Sequence, residues 1–141
     1  MSSSVTAAAS RQAAQRRRAR QPDQAAIAQA WSWCRSGQYD RVAALLDAGQ
    51  LAPGACDAAG NTLLHVAAQN GNKRIAKLAL RRGADINAQN LNGQTCLHFC
   101  YAYRYTALGE YLKGKGADDS LANADGLTCY EGLERGALDR L

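Results

Sequence analysis

Asp57-Ala-Ala-Gly60-Asn-Thr62-Leu-Leu64-His65-Val-Ala-Ala-Gln-Asn-Gly71 returns thirty-three residues later as Asn90-Leu-Asn-Gly93-Gln-Thr95-Cys-Leu97-His98, and its opening returns once more as Asn123-Ala-Asp-Gly126-Leu-Thr128-Cys-Tyr130. Laid over one another, the copies place Gly60, Gly93 and Gly126 in one column, Thr62, Thr95 and Thr128 in a second, and Asp57, Asn90 and Asn123 in a third. Further along, Gly83-Ala84-Asp85 falls over Gly116-Ala117-Asp118. A stride kept in so many columns marks a repeat architecture, in which each unit buries its apolar face only against its neighbours.

The apolar residues keep the same stride. Trp31, Leu64, Leu97 and Tyr130 form one column, and Cys34, Ala67, Cys100 and Leu133 the next. Val42, Ile75 and Leu108, then Leu45, Leu78 and Tyr111, then Leu46, Ala79 and Leu112 form later ones. Three- and four-residue spacing within each unit predicts two short helices with apolar faces. Asp or Asn three residues before Gly sets a tight turn, Thr caps the first helix, Gly71 breaks between helices, and Gly83 or Gly116 ends the second. The fold class expected is therefore all-α: a solenoid of about four helix-turn-helix units, near residues 23–56, 57–89, 90–122 and 123–141, the last one partial. In the first unit the helices are expected from about Ala25 to Arg35 and from about Tyr39 to Leu46.

Asp57 to Gly71, closing on Arg82-Gly-Ala-Asp-Ile-Asn-Ala88, resembles an ankyrin repeat nearly residue for residue, and Asn90 to His98 starts a second clear copy. The resemblance extends over roughly residues 24–141. It implies that His65 and His98 bond the backbone of their own turn and of the neighbouring one, holding units together, so that Thr62, His65, Thr95, His98, Thr128, Gly60, Gly93 and Gly126 are structural. It also implies binding through the turn tips and the exposed face of the first helices. The non-pattern positions there are Ala58, Ala59, Asn61, Gln69 and Asn70 in the second unit, Leu91, Asn92, Gln94, Tyr103 and Arg104 in the third, and Leu127 at the last turn. At least one of Tyr101, Tyr103 and Tyr105 is expected to be exposed, since tyrosine beside arginine is a common interface anchor.

Departures from the family pattern fall at both ends. Leu63, Cys96 and Cys129 stand where the family usually places proline, which removes some rigidity from the helix starts. Ile27 replaces the turn glycine of the first unit, which reads as an N-terminal cap, and Gly49 comes one position early, so the loop to Gly54 should differ from the others. Gly132 and Gly136 interrupt the last unit and leave only Ala137 to Leu141 for a second helix, which predicts a frayed or truncated cap.

The formal charge of +5 is concentrated at the start. Residues 1–22 contain Arg11, Arg16, Arg17, Arg18 and Arg20 without an acid, and too few apolar residues to offset ordering the backbone. A disordered basic tail is expected, with Arg16, Arg17, Arg18 and Arg20 meeting an acidic surface such as tubulin or, ranked lower, nucleic acid. An inert extension and an organelle transit peptide are the other readings of this segment. Lys73, Arg74, Lys77, Arg81 and Arg82 are read first as a solvated outer face and second as a contact for an acidic partner.

No apolar run is long enough to cross a bilayer, so no membrane association is expected. The five cysteines, odd in number, are read as reduced thiols, with the cytoplasm as the expected location and cilium or flagellum, nucleus or an organelle as alternatives. Cys96, His98 and Cys100 do not share one helix face, and no Cys-x-x-Cys pair exists, so no metal is expected. Neither a phosphate loop nor a nucleophile motif is present, so no cofactor and no catalytic residue is assigned. The function expected is a non-catalytic protein-protein interaction module, an adaptor or a small structural subunit of a larger assembly. A nucleic-acid-associated regulator and an axonemal or microtubule-bound subunit are the alternatives.

Overall fold

A computed structural model describes residues 24–131. The Arg16, Arg17, Arg18 and Arg20 tail, Leu133, and the glycine-interrupted stretch from Gly132 to Leu141 lie outside the described residues. Within them, six helices come in three consecutive pairs: α1 (Gln24–Arg35) with α2 (Tyr39–Asp47), α3 (Leu63–Gln69) with α4 (Lys73–Arg81), and α5 (Cys96–Ala102) with α6 (Thr106–Gly114). Helical backbone resumes at Cys129, opening a fourth unit. Among the described residues the extended pairing is a single isolated antiparallel bridge between Cys56 and Thr62.

The pairs stack as two layers. α3 packs on α1 and on α5, so these three form the inner layer, while α2 and α4 adjoin in the outer layer. Trp31, Leu64 and Leu97, equivalent by the stride, are each buried in one continuous core. Burying such side chains contributes about 1.5–3 kcal/mol apiece before the entropy of ordering them is set against it. Because α3 and α5 are only seven residues long and covered on both sides, Leu63–Ala68 and Cys96–Tyr101 are buried throughout. Their exposure is thereby confined to their C-terminal ends, a narrower face than the family resemblance leads one to expect.

The first pair differs as its sequence predicts, for reasons now visible. α1 continues for twelve residues and buries Ile27 where the other units turn, so the first unit has helix in place of a tip. α2 begins and ends one position early relative to α4, which carries Gly49 along with it; Gly49 keeps a left-handed φ of 71°. The added loop residue is used, since Leu51 is buried and its amide bonds the Leu45 carbonyl at 3.3 Å.

Candidate interaction surface

Each turn tip is built by one side chain. The Asp57 Oδ1 accepts the amides of Ala59 and Asn61 at 2.9 and 3.0 Å. Asn90 does the same for Asn92 and Gln94 at 2.9 and 3.0 Å, and Asn123 for Asp125 and Leu127 at 2.9 and 3.1 Å. The tips then join: the Leu91 amide donates to the Ala59 carbonyl at 3.0 Å, and the Ala124 amide to the Asn92 carbonyl at 2.8 Å. Gly60 allows this approach, because a Cβ there would sit 2.8 Å from the Leu91 nitrogen, and at φ 81° a side chain would also be strained.

The two histidines sit behind the tips. The His65 Nδ1 accepts the Thr62 amide at 3.1 Å, which leaves the proton on Nε2, and Nε2 donates to the Gln94 carbonyl of the next unit at 2.9 Å. His98 repeats the arrangement with the Thr95 amide at 3.1 Å and the Leu127 carbonyl at 2.9 Å. Burial lowers the His65 pKa below its ordinary 6.5, which favours the neutral ring this geometry needs. An imidazole with both nitrogens engaged by backbone is a connector and has no free lone pair for chemistry.

Residues 30–123 match the family model for ankyrin repeats in three copies. The chain belongs to the ankyrin-repeat family. It is 40% identical over 80 residues to an ADP-ribosylation factor GTPase-activating protein of Arabidopsis thaliana, a stretch that is 56% of this chain and 10% of that protein. It is 31% identical over 104 residues to an ankyrin repeat-containing protein of Schizosaccharomyces pombe, covering 74% and 49% of the two. Protein phosphatase 1 regulatory subunit 27 of Mus musculus is 33% identical over 92 residues, covering 65% and 60%. The chain thus spans between a tenth and three-fifths of the length of these relatives. Ankyrin repeats make the chain a protein-protein interaction module of a generally non-catalytic family.

Of the positions singled out from the sequence, the ankyrin stack exposes Ala58, Ala59, Asn70, Leu91, Asn92, Tyr103 and Arg104 and leaves Asn61, Gln69, Gln94 and Leu127 half-buried. Asn61 is engaged already, accepting the Asn90 side-chain amide at 2.9 Å, and Gln94 and Leu127 supply the carbonyls that the histidines hold. The exposed positions fall in two places, the tips and the loop from Tyr103 to Tyr105 beyond α5, which a seven-residue helix sets about 10 Å apart along its axis. Leu91 is 76% exposed and Tyr103 52%, high values for large side chains.

The Tyr103 loop is supported from beneath. Phe99 stacks on Tyr103 with ring centroids 6.5 Å apart and meets the His65 ring in a T-shaped contact at 5.7 Å, coupling the loop to the second unit. Tyr105 covers Gly71, where a Cβ would lie 2.6 Å from the tyrosine ring. Arg104 occupies the stride position of Gly71 and adopts the same left-handed backbone, φ 65° against 64°, although it carries a side chain. Strain of this kind persists where surrounding structure enforces it and often marks a working surface. In the sequence, residue type points to Tyr103 and Arg104, and the alignment of Arg104 with Gly71 is a second signal at the same place. Tyr101, by contrast, is buried, its hydroxyl donating to Glu110 at 2.8 Å.

The cysteines contribute packing. Cys34, Cys96 and Cys100 have thiol pKa values pushed up to about 12 by burial, and Cys129 to about 11, so all four are protonated at neutral pH. Cys96 and Cys129, in the proline positions, direct their sulfurs to the carbonyls of Ile86 and Asp119 at 3.4 and 3.9 Å, again one stride apart. Among the described residues no group of His, Cys, Asp or Glu is placed to hold a metal, and no helix is long and apolar enough to cross a membrane.

Proposed function

We propose that the chain is a non-catalytic adaptor or small structural subunit that grips a protein partner through the Tyr103–Tyr105 loop and the exposed tip around Leu91, in the cytoplasm. The observation that carries this reading is Arg104, a charged side chain held at a backbone angle that the preceding unit gives to glycine. Left-handed backbone costs a side-chain-bearing residue about 1–2 kcal/mol, and fold stability alone gives no reason to keep arginine there. The neighbouring exposed Tyr103, braced by Phe99, supplies the rigid aromatic area that interface anchors use. A relative named as a phosphatase regulatory subunit fits the same class of role.

Two variants test it. Tyr103→Ala with Arg104→Ala should abolish capture of the partners that affinity purification and mass spectrometry identify for the native chain, with helical circular dichroism unchanged. Arg104→Gly should weaken the same capture while raising stability by about 1 kcal/mol, because it relieves the strain. Unaltered capture by both variants would remove this loop from the binding surface.

A further inference from the structure

The outer helices hold a second charged surface, away from the tips and the Tyr103 loop. α4 buries Ile75, Ala76, Leu78 and Ala79 and turns Lys73, Arg74, Lys77 and Arg81 to solvent. Those cations are gathered by two rings. Lys73 and Lys77 from α4 and Lys115 from just past α6 lie 4.5, 5.3 and 5.7 Å from the centre of the Tyr111 ring. On the other side of α4, Arg74 stacks over Tyr39 at 3.8 Å, and Arg81 donates to the Tyr39 hydroxyl at 3.3 Å. Among the described residues the ion pairs are Arg82 with Asp47 and Lys113 with Glu110, so none of these five cations is in an ion pair. Three ammonium groups drawn to one ring repel one another, and a ring face offsets only part of that. An anion placed among them relieves the repulsion.

We propose that this face, centred on Lys73, Lys77 and Lys115 around Tyr111 and flanked by Arg74 and Arg81 at Tyr39, docks a carboxylate-rich segment of an acidic protein. Single-stranded nucleic acid binds by stacking bases on open aromatic faces, and here the faces of Tyr39 and Tyr111 are covered by the chain's own cations. Membrane-surface helices gain their strongest hold by inserting exposed apolar side chains beside the charge, and the large exposed hydrophobics of the described residues, Leu91, Tyr103, Tyr105 and Tyr130, all lie off α2, α4 and α6. Asp40 and Glu110 are exposed on the same outer helices, so the positive charge comes in separate foci, which match spaced carboxylates better than a continuous polyphosphate. The site rests on the outer helices alone and stands whether or not the Tyr103 loop binds a partner.

The test is fluorescence anisotropy of a labelled glutamate-rich peptide with the full-length chain at physiological salt. The Lys73→Gln/Lys77→Gln/Lys115→Gln variant should bind it roughly tenfold more weakly, since three surface charges are lost. The corresponding triple arginine variant should retain binding, and amide shifts on peptide addition should fall in α4 and near Lys115. Circular dichroism should be the same for all three proteins. Equal peptide affinity for the native and glutamine proteins overturns the proposal, as does a native preference for duplex oligonucleotide or phosphatidylserine vesicles that the glutamine variant loses.

Discussion

Where α1 meets α3, the chain relies on bulk: Trp31 and Ile27 fill the space a tip would otherwise define, and the indole Nε1 is buried without a hydrogen-bond partner among the described residues. Polar contact across this junction comes from the outer helices, with Arg82 paired to Asp47 and Arg81 to Tyr39. Where α3 meets α5, the joint is backbone-directed: the Leu91 amide on Ala59, His65 on the Gln94 carbonyl, and the Asn90 side chain on Asn61. A unit with tips on both sides can be held by short, directional bonds. One that lacks a tip has to replace them with buried apolar area.

The largest effect should come from Trp31→Ala, which removes the largest fully buried side chain of the described residues and should cost about 3–5 kcal/mol in urea unfolding. A loss below about 1 kcal/mol would mean that α1 is not held by this side chain. His65→Ala attacks the second junction, leaving the Thr62 amide and the Gln94 carbonyl without their partner, and should cost about 2–3 kcal/mol. The same ring makes the second junction sensitive to acid. Burial sets the folded pKa of His65 below the unfolded value of 6.5, so the unfolded chain takes up a proton that the folded chain resists. Stability should hold above about pH 6.5 and fall as pH drops beneath it, by up to about 1.4 kcal/mol per pH unit for this one group until the folded pKa is reached. Chemical unfolding of native protein and His65→Ala across this range checks it: the variant should show the shallower slope.

A smaller and more diagnostic comparison sets Gly60→Ala against Gly126→Ala. Both glycines have positive φ, 81° and 74°, but only Gly60 faces the backbone of a following tip, while no atom of the described residues lies within 4 Å of a Cβ at Gly126. Gly126→Ala should cost about 1 kcal/mol from strain alone, and Gly60→Ala about 2 kcal/mol from strain and collision together. Equal losses would mean that tip-to-tip contact adds nothing to the second junction. The least effect is expected from Arg82→Ala: with its side chain 43% exposed and that of Asp47 55%, the pair should contribute under about 1 kcal/mol.

The helices of the stack were legible because the code that sets them is local. Caps, left-handed turn residues and apolar spacing recur within each unit, so their stride predicts α2 to within a residue and marks Ile27 and Gly49 as departures. What the stride does not carry is contact between outer helices, where partners are not periodic. Tyr39 and Tyr111 share no column, yet each collects cations from α4. The cluster in which Lys113 bonds Glu110 and the Tyr130 hydroxyl, with Tyr130 in turn donating to Asp119, is likewise a one-time solution at the junction with the fourth unit. Among the tip positions, residue type suggested which side chains could bind, while burial decided which were free: Leu91 was, and Asn61 was already held.

Each connector imidazole reaches forward to a main-chain oxygen, a group present whatever side chain occupies that position. A tandem duplication of residues 57–89 would therefore bring its own donor and meet a ready acceptor at the new boundary. The chain could lengthen by whole units through ordinary genetic copying, with no matching change needed at the seam.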